Sequence, residues 1–451
     1  MGRGRALALG VIALALVGAM SAVVAHSRPD APVIRTFIVR PPDVPDGAAV
    51  DMRSGRLFVS AFDETANVGR VYLFDLRSGR LLRVIGPFSP NVGVEVDEGI
   101  GRAFVNDMSG GVAALDARTG AHLTDMVAGG DRTDMEIDAR RHRVYLSNNN
   151  GDSVEMFDER TGRSLQGFYL GLSYEPVSLV VDDRTGRLVT VNRGNHSVSV
   201  LDPDAGRVLR TIVTGIYASV VAYRGQFLVT TNHGLLILDA ESGRGVRTIP
   251  LRGMTDATLS LDARAGRVLV ATNAGMSVVD PRRGTVVGTV PAVPRYEVAV
   301  DDRAGRAFAV DAARGIVRVL DTRGGAIVNT VAVGLHPGFP ALDTRRGRVF
   351  LAAQDSTDGA GRALGVGTMT VLDARTGAVL RTVAVGVNPT GVVVDERTGQ
   401  TFVVNGGGTV DVPDRWDWVP GAVRRLLPFL PPPGSRGRVV PGSISVLAAA
   451  L

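Results

Sequence analysis

Three groups of residues in this sequence have types and spacings that could do chemistry. His196 and His233 occupy comparable loops of neighbouring repeats, and His336 maps to the same side of the fold. Paired imidazoles beside a carboxylate could hold a metal ion. No His-x-x-x-His or related spacing supports that use, so solvated loop histidines are the competing reading. The second group is acidic. Glu95, Asp134, Glu136 and Glu297 fall in innermost strands where other repeats carry Val, Ala, Ser or Gly. Charges beside a channel are costly unless paired or hydrated. They form either a cation or polar-ligand site centred on Glu95 and Glu136, or a hydrated lining paired with Arg132 and Arg295. Asn192 and Asn232, which end second strands, are grouped with that ligand site. The third group lies in an insertion from Asp414 to Pro433. It holds both tryptophans, Trp416 and Trp418, followed by Arg424, Arg425 and Phe429. Val419 to Leu427 suits a short helix, with Pro420 near its start and Pro428 ending it. Aromatics beside paired arginines suit a membrane interface or a partner groove. A lid folded over the ring mouth is the alternative.

The elements that position these groups are short and repeated. Val371 to Asn405 reads VLDARTGAVLRTVAVGVNPTGVVVDERTGQTFVVN. β-Branched runs favour strands, and Asp, Gly, Asn and Pro punctuate them. The cassette recurs from near residue 46 to the C-terminus with a period of about forty residues and about four strands, the signature of a β-propeller. First-strand turns begin at Asp51, Asp97, Asp138, Asp182, a degenerate Tyr223-Arg224-Gly225, Asp262, Asp301, Asp343 and Asp395. The predicted fold is therefore all-β: one propeller of nine four-stranded blades, with eight as the alternative. Residues 32 to 40 match fourth strands, and Ser443 to Leu447 matches a third strand and stops. The N-terminal strand is thus expected to complete the last blade and remove an open seam. The Asp-x-Arg-x-Gly turns fall on one face. The variable loops, with insertions 354–368 and 406–442, fall on the other, which is the expected site of function. Each Asp turn offers one carboxylate, so these read as turn formers rather than calcium loops.

Composition bounds the rest. The chain has 451 residues, 45% hydrophobic and 21% charged, enough for a sizeable core. Aromatics are 5%, so Val, Leu and Ala are expected to fill it. All 50 basic residues are Arg and the formal charge is +5, spread through the turns. A nucleic-acid partner would call for a concentrated basic stripe, so that reading ranks last. The absence of Cys excludes disulfides, thiol nucleophiles and Cys zinc sites. Residues 1–25 read as a signal peptide ending near Ala25, or as an uncleaved anchor, with the propeller over 26–451. Both place the ring outside the cytoplasm, secreted or held at the outer face of the cytoplasmic membrane.

The cassettes resemble the YVTN family of β-propeller repeats, found in surface-layer and YncE-like exported proteins. The naming motif appears as Leu188-Val-Thr-Val-Asn192, Leu228-Val-Thr-Thr-Asn232, Leu269-Val-Ala-Thr-Asn273, Val144-Tyr-Leu-Ser-Asn148 and Phe402-Val-Val-Asn405. The family's connection appears as Val385-Gly-Val-Asn-Pro-Thr-Gly-Val392. The turn at Tyr223 and the two insertions depart from the pattern. The resemblance implies an exported propeller, and it leaves function open because such rings serve as enzymes, binders and scaffolds. No nucleophile elbow, phosphate-binding Gly loop or HExxH helix is present. The leading expectation is a non-enzymatic scaffold for a cell-envelope protein or polymer, with membrane contact through 411–440. The alternative is a metal- or cofactor-dependent hydrolase or dehydrogenase-like enzyme. The sequence specifies no cofactor.

Overall fold

A computed structural model describes residues 35–447 apart from 91, 108–110, 129–133, 217, 256, 273, 292–296, 355–365 and 413–435. Nine four-stranded antiparallel sheets follow one another along the chain. In the first eight, strand order equals chain order, so each blade is a meander from an inner to an outer strand. The ninth is built from both ends of the chain. Pro389–Val394, Thr401–Asn405 and Ser443–Leu447 are joined by Arg35–Ile38 as the outer strand, with Phe37 opposite Ile444. Nine blades and the N-terminal latch are as the sequence predicts, and the eight-blade alternative is excluded. Phe37 is fully buried, and the Val39 N–H donates to Gly442 O at 3.0 Å. The ring therefore closes without a free seam.

The turn chemistry sets the hairpins. In the third-to-fourth turns Asp75, Asp116, Asp158, Asp239 and Asp373 each accept the N–H and the hydroxyl of a Ser or Thr three residues on, at 2.6–2.9 Å. Those bonds hold all five carboxyls below the ordinary Asp range. A Gly follows each Ser or Thr, and Gly79 shows why. Its φ of +75° is a left-handed conformation that costs glycine nothing.

Packing runs between blades. Second strands place Phe58, Phe104, Tyr145, Phe227, Phe308, Phe350 and Phe402 fully inside. Around them the core is aliphatic. Phe58, Val71 and Leu73 of blade 1, for example, meet Val92, Val105 and Leu115 of blade 2. Seven of the nine second strands thus bury one aromatic each, a regularity that the composition conceals.

The inner turns of neighbouring blades are tied by arginine. Arg53 donates to Glu98 O at 2.8 Å, Arg346 to Glu396 O at 2.8 Å, and Arg397 to Met52 O at 3.2 Å. The last bond joins blade 9 to blade 1 and closes the ring on the turn face as the latch strand closes its rim.

Candidate functional site

The inner strands of blades 1 to 3 carry the acids. Glu95 lies in Gly93–Asp97, Glu136 in Met135–Asp138, and Asp134 stands just before the latter. Strand alternation puts Glu95 and Gly93, and likewise Glu136 and Asp134, on one face. Asp134 and Glu136 reach across to the inner strand of blade 4, Pro176–Asp182. Asp134 Oδ2 accepts the Leu179 N–H at 2.8 Å, and Glu136 Oε1 accepts the Val181 N–H at 3.1 Å. An inner strand has no sheet partner on its channel side, so its N–H groups need such acceptors. Ser219 Oγ does the same for the Leu259 N–H at 3.2 Å.

Burial dominates the electrostatics of this sector. It raises the carboxyls of Glu95 and Asp134, with the Asp134 charge adding to the effect on Glu95. Glu136 is pushed up to about 7, by burial first, with the Asp134 and Glu95 charges adding to it against the Val181 N–H bond. Glu95 has no hydrogen-bond partner among the described residues. Glu297 begins the inner strand Glu297–Asp301 of blade 7, so it is remote in blade order from the other three. The proposed partners Arg132 and Arg295 lie outside the described residues.

A fourth acid belongs here that the sequence reading missed. Asp46 lies in the inner strand of blade 1, Val44–Asp51, at a register shift between Pro45 and Gly47. Ser60 donates to its Oδ1 at 2.5 Å, and burial raises its carboxyl. It lines a cavity of about 370 Å³ between blades 1 and 2 with Gly47, Ser60, Val92 and Gly93. A side chain at Gly93 would meet open space, so the glycine leaves this cavity wide. The only sequence signal was an acidic residue before a bulge glycine. A second missed acid, Glu159, is fully buried on the turn face. Its carboxyl is raised by burial first and by the Asp97 carboxylate nearby, while His142 Nδ1 sits 3.1 Å away.

The histidines stand apart from this sector. His196 and His233 are both exposed, in the second-to-third turns of blades 4 and 5. Their backbones are engaged: His196 O accepts the Thr214 N–H at 2.8 Å, and the His233 N–H donates to Thr231 Oγ1 at 3.3 Å. Among the described residues no three His, Asp or Glu side chains gather as a metal site would require. Asn192 is buried and donates to Ser197 Oγ at 2.9 Å and Ser199 Oγ at 3.0 Å. Asn405 makes the equivalent bond to Ser445 Oγ at 3.0 Å. The terminal Asn of the second strand is thus an internal clamp in blades 4 and 9, whereas Asn232 is exposed. Trp416, Trp418, Arg424, Arg425 and Phe429 lie outside the described residues. The insertion holding them leaves and re-enters the ring through a ribbon, Gly408–Val412 against Arg436–Val440.

The fold and its closure define a nine-bladed β-propeller. No protein-family model matches the chain, and no curated protein matches it. Many solved structures do. Sqt1 from Saccharomyces cerevisiae is 11% identical with a TM-score of 0.55, covering 82% of this chain and 95% of its own. The dihydro-heme d1 dehydrogenase NirN is 13% identical with a TM-score of 0.54, covering 81% of this chain and 76% of its own. BamB from Moraxella catarrhalis is 16% identical with a TM-score of 0.48, covering 71% and 96%. At these identities the likeness is one of fold.

Proposed function

We propose that this chain is an exported propeller of the YVTN-repeat, YncE-like kind that works as a binding scaffold for a protein or polymer of the cell envelope. One observation carries the reading: the ring is tied blade to blade along its inner edge and turn face and latched by both chain ends. A surface held in that way is preorganised, and a partner binding it loses little affinity to rearrangement. Residues 1–25 supply the export step in this reading, and the 411–440 insertion supplies a contact to the membrane or partner. Among the inner acids, Glu95, which no described group engages, would receive a cationic group of the partner. Deleting 411–440 is expected to weaken binding to liposomes or isolated envelopes, and unchanged binding removes that contact from the proposal.

Native mass spectrometry of the protein recovered from an exporting host separates scaffold from enzyme. The scaffold reading expects the bare polypeptide mass, beginning at His26 after cleavage or at Met1 if anchored. A stoichiometric metal or organic adduct that disappears in His233→Ala would contradict it and favour the metal- or cofactor-dependent enzyme.

A further inference from the structure

Where blades 5 and 6 meet on the turn face, the pattern of the ring changes. Every other inner turn begins with Asp; blade 5 has Tyr223-Arg224-Gly225. Tyr223 pairs directly with Gln226, leaving a two-residue hairpin loop with φ of +52° at Arg224 and +77° at Gly225. Such loops favour Asn or Gly at the first position, so arginine sits there against its backbone preference. Having no carboxylate of its own, the turn borrows one from blade 4: the Gly225 N–H donates to Asp182 Oδ1 at 3.2 Å. Toward blade 6 the turn offers no acid; the Tyr223 hydroxyl donates to Ala263 O at 3.4 Å.

A pocket of about 260 Å³ opens at this junction, lined by Arg224, Arg264, Arg267, Arg282 and Arg283, with Asp280 as its one carboxylate. Asp280 is already engaged by Arg267 at 2.9 Å and is only 6% exposed. Arg283 approaches it no closer than 3.7 Å. Arg224, Arg264 and Arg282 form no ion pair among the described residues; Arg224 instead lies 5.1 Å above the Tyr223 ring. That stacking orients its fork. Elsewhere on this face Arg53, Arg141 and Arg346 are engaged by carbonyls of the next blade or by turn acids; what sets this junction apart is that five arginines line one pocket.

We propose that this pocket binds a terminal phosphate group. Arginine forks donate in parallel to oxyanions. A carboxylate would offset one of the surplus charges, whereas a phosphate monoester carries about two and offers three acceptor oxygens. The volume is just below the roughly 300–1,000 Å³ of sites that engulf drug-sized ligands, which suits a compact head group. The site is independent of the scaffold reading and lies on the face opposite the variable loops.

Inorganic phosphate and phenyl phosphate are titrated calorimetrically into the full-chain protein at constant ionic strength, with chloride as the balancing anion. The expected result is one saturable site for both. Arg224→Asn/Arg282→Gln should weaken it at least about tenfold, the loss of one charge-assisted hydrogen bond. Arg118→Gln/Arg375→Gln, on exposed turns of the same face, should leave it unchanged. Asn suits the left-handed φ, so the first variant should fold; Arg264→Gln/Arg283→Gln repeats the test should it not. The proposal is overturned by absence of a saturable site, by equal losses in the test and control variants, or by binding of oligothymidylate alone, which reports extended phosphodiester charge rather than a terminal group.

Discussion

The ring gathers charge of each sign in a different quarter, and the fold uses the two quarters in different ways. Asp134 and Glu136 of blade 3 are half-buried and tied to backbone N–H groups of blade 4. Arg224, Arg264, Arg282 and Arg283 at the blade 5–6 turns are exposed and form no close ion pair among the described residues. Charge alone therefore does not mark a site. What separates the quarters is whether the side chain already holds up the fold, as Glu136 does, or could be removed without exposing a backbone donor, as Arg282 could.

The sharpest way to break that distinction is to remove arginines of the two kinds. Arg187 pairs with Asp202 at 2.9 Å and Glu241 at 3.1 Å, and both Arg187 and Asp202 are largely buried. Arg187→Ala strands a buried carboxylate and is expected to cost about 2–3 kcal/mol in urea denaturation. Arg282→Gln should stay within about 0.5 kcal/mol of wild type. Comparable losses from the two would erase the difference between structural and free arginines.

A smaller effect sharpens the pocket side of the comparison. Arg224 is held at a φ of +52°. Arg224→Asn is expected to raise stability by up to about 1 kcal/mol by relieving that backbone, read as a higher unfolding midpoint in phosphate-free buffer. A fall in the midpoint would make Arg224 part of the fold's support rather than a residue placed at its expense.

Much of this was legible in the sequence, for reasons that can be named. The nine blades show through because each carries its own turn acid and glycine, and the latch shows because residues 32 to 40 match an outer strand with no blade of their own. Glu95, Asp134 and Glu136 stand out by breaking a Val, Ala, Ser and Gly pattern. Asp46 does not, because a bulge shifts it out of register with the others. Asn192 reads as a loop-end ligand but is a buried clamp, since its amide turns back onto Ser197 and Ser199. The arginine pocket was invisible in a chain whose bases are all Arg. Its parts come from three turns, and only the missing Asp at Tyr223 hinted that the balance there was different.

The measurement that bears most directly on the account is the pH dependence of stability for wild type against Glu136→Gln. Burial raises Glu136 from 4.5 to about 7, so the folded state holds a proton that the unfolded chain has released. That contribution is fully present below the unfolded value and is lost as pH rises through the folded one. Gln keeps an acceptor for the Val181 N–H without the charge. At pH about 8 the variant should therefore be more stable by about 1–2 kcal/mol, and the gap should close on acidification to below about 4.5. A gap that is absent at high pH, or that persists in acid, would contradict the view that the inner carboxylates are desolvated supports of the ring.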